Sequence, residues 1–576
     1  MTGTNSSAPE AAFASTPVAS GEWRAVVNVP NGSTIHYKFY IDGMTYVPDP
    51  NNPNKQDDGF GGMNSVKTAQ CGSMTNCGTG GAGGASADAF DWRSAVLYFV
   101  FVDRFKNGDP SNDAPIPGVE TAANYQGGDY QGLLDEINSG YFDQLGVNAL
   151  WLTVPMDNPS VPGVGSDGHQ YSAYHGYWPQ NLDQVEEHFG SMALLQQVVA
   201  AAHAKNIKVL FDYAMNHVHI TAPLYAQHPE WFWPLSYNGN NCLCGNGCAW
   251  DGYEGRRCWF TDYLPTWDFQ VDAARSASID NCMFWINQTH IDGFRLDAVK
   301  QIETSWISDL RTRINQNVDQ SKVHFYMVGE TYDTGNRDLI KSLVSPEMLD
   351  GQFDFPLRGA IVENILRRSG TMHDLDNFLA TNDSFYSPGI MSTFLGNQDM
   401  ARVINTALDQ PWQTWDNGGT SNWMNQPQLP NYRAPFERLG LGFAFLMTTQ
   451  GIPLIYYGDE IGMPGSGDPD NRRMMTFTGL TTDQQWLKDR VSKLTQLRST
   501  HPALWKGTRT SVDVQNDTYV YEKSFGADVL YVAMNRSDNA QTVNGLPTTS
   551  TDLLTGSVVN GPTATLSPRT IMILQP

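Results

Sequence analysis

The chain has 576 residues, 40% hydrophobic and 11% aromatic, which marks a globular protein too long for one compact core and suggests roughly three or four domains. Its formal net charge of -24 repels phosphate backbones and anionic bilayers, so nucleic acid and membrane surfaces are excluded as natural partners. A neutral or cationic ligand fits that charge, and 16 Trp with 24 Tyr supply flat faces of the kind on which sugar rings stack.

In chain order, "MTGTNSSAPEAAFASTPVAS" lacks the basic start and apolar core of an intact signal peptide, so residues 1–20 read as a flexible leader. Residues 21–77 hold short strand-like runs, "WRAVVNV", "IHYKFYI" and "MTYVPD". The Gly-rich "GTGGAGGAS" then marks a linker, taken as 78–90. From 91 the pattern becomes short apolar strands alternating with helical stretches. The strands expected are 96–102, 147–153, 207–214, 292–299, 325–330, 352–357, 390–397 and 452–458. Eight such units over 91–507 predict an α/β fold, a parallel (β/α)8 TIM barrel. The long gap after the third strand predicts an excursion domain at about 218–265. Beyond 508, "TYVYEKSF", "DVLYVAMNR" and "TIMILQP" predict a C-terminal β-sandwich over 508–576. No apolar run reaches the ~18 residues of a membrane span.

Seven cysteines are present. Cys71 and Cys77 are neighbours, Cys242, Cys244, Cys248 and Cys258 form a cluster, and Cys282 stands alone. Clustered pairs suit disulfides in an exported protein, so a secreted location is expected. The cluster of four could instead hold zinc, although C-x-C-x3-C-x9-C is not a usual zinc spacing.

In "IDGFRLDAVK", residues 291–300, Arg295 and Asp297 are two apart and share one face of the strand, with Phe294, Leu296 and Ala298 on the other. An isolated Arg-x-Asp reads most simply as a structural ion pair. A barrel, however, gathers its chemistry at the C-terminal ends of its strands. The third strand ends with Asp212, Asn216 and His217, the fourth with Arg295 and Asp297, the fifth with Glu330, and the seventh with Asn397, Gln398 and Asp399. Four strands thus aim carboxylates at one mouth.

This set resembles the catalytic signatures of the α-amylase family, retaining glycoside hydrolases and transglycosylases acting on α-glucans. "DYAMNH", "GFRLDAVK", "GE" and "NQD" match its four main motifs in order, and "DRFKNGDPSND", "YHGYW" and "GIPLIYYGDE" with "DPDNRR" add three more. The resemblance implies Asp297 as nucleophile, Glu330 as general acid and base, and Asp399 as the group that holds sugar hydroxyls and favours a distorted ring. Retention needs two carboxyl groups only ~5–5.5 Å apart, one ionised and one protonated. Arg295 would keep the nucleophile ionised, and Glu330, behind apolar "FYMV", would keep its proton. By the same carry-over Tyr177 stacks on the sugar, His175 and His217 bind hydroxyls, Asp212 holds the architecture, Asp468 and Arg472 grip neighbouring sugars, and Lys300, Asn397 and Gln398 complete the substrate contacts.

The implied activity is hydrolysis of internal α-1,4 bonds in starch, glycogen or maltooligosaccharides. The alternative is a transglycosylase or a cyclodextrin- or pullulan-degrading relative with the same triad. A non-catalytic scaffold, more distant, should lack the nucleophile or the acid. Asn107, Asp109, Asn112, Asp113, the Gly127 carbonyl and Asp129 offer close-set hard oxygen ligands suited to calcium, and resemble the calcium loop of cyclodextrin glucanotransferases. The calcium site usual between barrel and excursion is expected to be absent or altered, because Thr266 and Gln301 stand where the family has aspartate and histidine. Residues 37–66 resemble the closing half of a glycogen-binding β-sandwich module, with no counterpart to its opening half.

Gln398 departs from the family's Asn-His-Asp. Glutamine hydrogen-bonds a sugar hydroxyl but carries no imidazolium charge. Gln398→His is therefore expected to raise kcat on starch; an unchanged or lower kcat would discard this account of the substitution.

Overall fold

The computed structural model describes residues 90–419 and 421–576, and, before them, 2–5, 8–12, 16–18, 22–24, 34–41, 45–50, 52–57 and 62–68. It divides into two units, Met1–Phe90 and Asp91–Pro576.

In the first unit, Thr34–Ile41 is the centre of an antiparallel sheet, pairing with Met63–Thr68, Thr45–Val47 and Thr2–Asn5. Thr2–Asn5 also pairs with Ala8–Ala12. Part of the stretch read as a leader is therefore strand. Cys71, Cys77 and the Gly-rich stretch 78–86 lie outside the described residues.

The second unit is built on eight parallel strands: β1 Leu97–Val100, β2 Ala149–Leu152, β3 Lys208–Tyr213, β4 Gly293–Leu296, β5 Tyr326–Gly329, β6 Gly351–Gln352, β7 Ser392–Phe394 and β8 Ile452–Tyr456. Hydrogen bonding runs β6-β5-β4-β3-β2-β1-β8-β7, and a parallel bridge between Phe353 and Ser392 joins the two ends into a barrel. The strands are apolar on both faces because helices cover the outside and side chains fill the inside. Inside, Phe99 stacks on Trp151 with ring centroids 3.7 Å apart. Outside, helix Met192–Ala204 is capped by Ser191 and buries Leu195, Val198, Val199 and Ala202, the i, i+3, i+4, i+7 stripe of an amphipathic helix.

The expected sixth strand, 352–357, is corrected. The strand ends at Gln352, with one further bridge at Phe353, and Asp354 accepts the Leu357 N–H to cap a helix, Phe355–Ile361, with Pro356 in its first turn. An aspartate cap followed by proline starts helices and ends strands.

Between β3 and helix Asp272–Thr289 the excursion carries two disulfides, Cys242–Cys248 and Cys244–Cys258. The cluster of four thiols is thus paired rather than metal-binding, while Cys282 is a buried free thiol. The excursion is tied to the barrel by direct hydrogen bonds. Asn216 donates through Nδ2 to the Gln301 carbonyl at 3.0 Å, Thr266 donates its hydroxyl to the Cys258 carbonyl at 2.7 Å, and Gln301 Nε2 donates to the Trp250 carbonyl at 3.2 Å.

At the C-terminus a six-stranded antiparallel sheet, led by Thr518–Phe525, Asp528–Asn535 and Thr570–Gln575, faces a two-stranded one, Gln541–Val543 with Ala564–Leu566. Val520, Ala533 and Leu574 of the first meet Val543 and Leu566 of the second in one core, as in a sandwich. Among the described residues no helix is long and apolar enough to cross a membrane.

Removing the Cys244–Cys258 bridge by Cys244→Ser with Cys258→Ser frees a loop with a sequence separation of 14. Denaturant unfolding should then show a loss of about 3 kcal/mol; an unchanged midpoint and slope would mean that the hydrogen bonds alone fix the excursion.

Candidate active site

Strand register builds the site. Asp212 on β3 pairs with Arg295 on β4, which pairs with Val328 on β5. Asp297 and Glu330 each lie two residues further along their chains, on the same face and one layer nearer the mouth. Backbone hydrogen bonds hold that upper layer: Asp297 N–H donates to the Tyr213 carbonyl at 3.1 Å, Glu330 N–H to Leu296 at 2.9 Å and Val299 N–H to Glu330 at 3.0 Å. After Asp297 the chain turns away through Ala298, whose φ is 45°.

Arg295, only 1% exposed, joins the layers. Its Nη1 donates to Asp212 Oδ1 at 2.9 Å and Asp297 Oδ1 at 2.7 Å, and its Nη2 donates to Glu330 Oε2 at 2.7 Å. Its guanidinium carbon sits 5.0 Å from the centre of the Trp151 ring below. The sequence reading paired Arg295 with Asp297; the structure gives it three carboxylates. Burial pushes Glu330 up to about 8, with Arg295 opposing and Asp297, Asp399 and Asp212 adding to the rise. Burial also raises Asp212, to about 6, against the same guanidinium. At neutral pH Glu330 holds a proton.

Tyr177 stands over this group. Its hydroxyl donates to Asp212 Oδ2 at 2.7 Å and accepts from Gln398 Nε2 at 3.3 Å. That orients the Gln398 amide, leaving Oε1 buried and without a partner. His175 Nδ1 accepts the Tyr177 backbone N–H at 2.9 Å, which places its proton on Nε2. Burial, with Arg472 and His217 nearby, holds His175 well below the usual imidazole range, so it is neutral. His217 was expected to bind a hydroxyl; its Nε2 is engaged by the Tyr177 carbonyl at 2.8 Å, so it tethers the Tyr177 loop.

On the open side, Asn397 Oδ1 accepts the Asp399 N–H at 3.0 Å, and Arg472 Nη2 lies 3.5 Å from Asp399 Oδ1. Arg472 also pairs with Asp468 at 3.0 Å, and Tyr174 donates to Asp468 at 2.7 Å. Asp399, Asp468, Arg472 and His175 line a cavity of about 390 Å³. Lys300, expected among the sugar contacts, donates through Nζ to Asp251 of the excursion at 2.9 Å. Trp151, Tyr174 and Asn471, which donates to the Gln398 and Met400 carbonyls at 2.7 and 2.8 Å, were not picked out. Tyr174 and Asn471 stand inside "YHGYW" and "DPDNRR", where motif position was the available signal.

The loop 107–113 gathers the expected hard-donor residues. Asn107 donates through Nδ2 to Asp113, leaving Asn107 Oδ1 buried without a partner, as is Asn112 Oδ1. Gly127 packs against both Asn107 and Asp113 with φ +88°, where a Cβ would lie 2.3 Å from Asp113 Oδ1. Orphaned carbonyl oxygens beside carboxylates fit a hard cation. Asp129 braces the loop, accepting N–H groups from Gly108, Asp109 and Gly132.

A family model for the alpha-amylase catalytic domain matches residues 99–539. The chain belongs to the α-amylase family. It is similar to a cyclomaltodextrin glucanotransferase of Bacillus sp. (strain 6.6.3), 31% identical over 487 residues, covering 80% of this chain and 61% of that relative. It is equally similar to an alpha-amylase of Niallia circulans, 30% identical, covering 80% of this chain and 85% of that one. Among solved structures, alpha-amylase from Geobacillus thermoleovorans complexed with acarbose superposes with a TM-score of 0.68 at 27% identity, covering 84% of this chain and 98% of that one. The α-amylase fold here spans the barrel and the C-terminal β domain.

With Glu330 as the proton donor, kcat/KM is expected to fall as pH rises through about 8. Arg295→Met should lower kcat/KM by about 100-fold or more and move that alkaline limb to higher pH, since the pull of the guanidinium on Glu330 is gone. A limb that stays in place would assign it to another group.

Proposed function

We propose that this α-amylase-family enzyme hydrolyses internal α-1,4-glucosidic bonds of starch, glycogen or maltooligosaccharides with retention. The observation that carries this reading is one buried guanidinium holding Asp297 and Glu330 through its two terminal nitrogens, with burial keeping Glu330 protonated. In the first step Asp297 attacks the anomeric carbon while Glu330 gives its proton to the departing glycosidic oxygen, and a covalent glycosyl-enzyme forms. In the second, Glu330 takes a proton from water as the water displaces Asp297. Asp399, with His175 and Gln398, holds hydroxyls of the reacting sugar, Tyr177 covers its face, and Asp468 and Arg472 hold the neighbouring unit.

Glucanotransferase action is the second reading, supported by the 31% identity to a cyclomaltodextrin glucanotransferase. It needs only a sugar hydroxyl in place of water in the second step. Calcium at Asn107, Asp109, Asn112, Asp113 and the Gly127 carbonyl, braced by Asp129, would stiffen the turn after β1. Two disulfides and the absence of a spanning helix among the described residues support secretion.

Incubation with soluble starch, maltoheptaose and cyclodextrin, followed by chromatography, separates the readings. Short linear products support hydrolysis; new rings or longer chains support transfer. Asp297→Asn and Glu330→Gln should each abolish either activity. Undiminished starch breakdown in either variant, or no change in any substrate with the folded parent, would overturn the proposal.

A further inference from the structure

Beneath Arg295 the barrel interior holds a set of flat groups. Trp151 on β2 pairs with Leu210 on β3, which pairs with Gly293 on β4, so the indole belongs to the inward layer two residues below Asp212 and Arg295. Its ring centre lies 5.0 Å from the Arg295 guanidinium carbon. Phe99 stacks against the indole at 3.7 Å with 8° between the planes, and Phe353 approaches it at 5.5 Å.

The indole is a poor choice as plain filling. Its Nε1 is buried without a hydrogen-bond partner, and an unpaired buried N–H lowers stability in a way that phenylalanine would avoid. What indole offers instead is the strongest attraction of any side-chain ring for a cation over its face, an attraction that grows when the cation is desolvated. Arg295 meets that condition, being almost fully buried. Its hydrogen bonds also leave it incompletely held. All three run from Nη1 and Nη2 to carboxylates, while Nε is buried without a partner. The ring supplies a contact that the carboxylates do not.

We propose that Trp151 is a positioning residue, acting through Arg295 to hold the guanidinium against Asp297 and Glu330. The inference rests on the proposed role of Glu330 as proton donor. The groups that bear on Glu330 and Arg295 are Asp212 from β3, Asp297 beyond β4, Asp399 beyond β7, Tyr177 from the loop after β2 and Tyr332 beyond β5. Of the charges acting on Glu330, only Arg295 favours its ionised form. Loosening Arg295 therefore raises the pH at which Glu330 loses its proton.

Full-length protein labelled with carbon-13 at the glutamate carboxyls is titrated by NMR, with the Glu330 signal assigned by its loss in Glu330→Gln. On maltoheptaose, kcat and KM are measured beside it. Trp151→Leu should move the Glu330 midpoint to higher pH and lower kcat about tenfold with KM unchanged. Trp151→Met, likewise without a ring face, should do the same and guards against misfolding of the leucine variant, with circular dichroism checking both. Trp151→Phe, which keeps an aromatic face, should restore most of both effects. In the Arg295→Met background Trp151→Leu should move the midpoint no further, since the contact it removes is already gone. An unmoved midpoint in the ring-less variants, an equal shift with the arginine absent, or a phenylalanine variant as impaired as the leucine one would overturn the proposal. A parent that cleaves no glucan would overturn the proposed activity instead, and the midpoint would still decide the role of Trp151.

Discussion

Three carboxylates meet one guanidinium at Arg295, in a space almost closed to water, and the rest of the site is arranged around that imbalance of charge. One cation cannot compensate three anions at low dielectric, so the arrangement is stable only if a carboxyl keeps its proton. Burial raises Asp212 to about 6 and Glu330 to about 8, so the proton resides on Glu330. An acid ready to donate at neutral pH is therefore a consequence first of burial and then of the surplus of negative charge. Arginine suits the position because its planar fork reaches three oxygens in fixed directions, which an ammonium on a flexible stem does not.

That fork needs a floor and walls. Trp151 lies beneath the guanidinium, and Phe99 stacks beneath Trp151, so the aromatic filling of the barrel fixes the depth of Arg295. Neighbouring strands set the rest, since a register slip of one residue would turn Asp212 or Glu330 outward. The excursion is fastened to the same layer by Asn216, Thr266 and Gln301 through direct hydrogen bonds, with disulfides stiffening its tip.

What was legible in the sequence was whatever depended on local pattern. Strand ends and their polar residues announced Asp297, Glu330 and Asp399, because apolar strands make any charge at their tips conspicuous. The eight-strand order and the C-terminal sandwich followed from alternation and turn spacing. Partners distant in sequence were not legible. The link of Lys300 to Asp251, the tether from His217 to the Tyr177 carbonyl and the third carboxylate on Arg295 are set by tertiary packing. The sixth strand was misread because "QFDFPL" is apolar enough for a strand, while its Asp-Phe-Pro also caps a helix, and the cap prevails once Asp354 meets the Leu357 N–H.

The site is asymmetric in a way that bears on how a ligand is held. Asp212 and Arg295 are buried and bonded in full view of one another, and Tyr177 is pinned by Asp212, Gln398 and His217. Asp399 differs: its side chain is 47% exposed, and among the described residues its carboxylate meets only Arg472, at 3.5 Å. His175 Nε2, a donor, is likewise left uncommitted on that side. A preorganised wall thus faces a half-satisfied one. In the proposed reaction the hydroxyls of the sugar complete the second wall, and those bonds can tighten as the ring flattens, which is where binding energy accelerates chemistry.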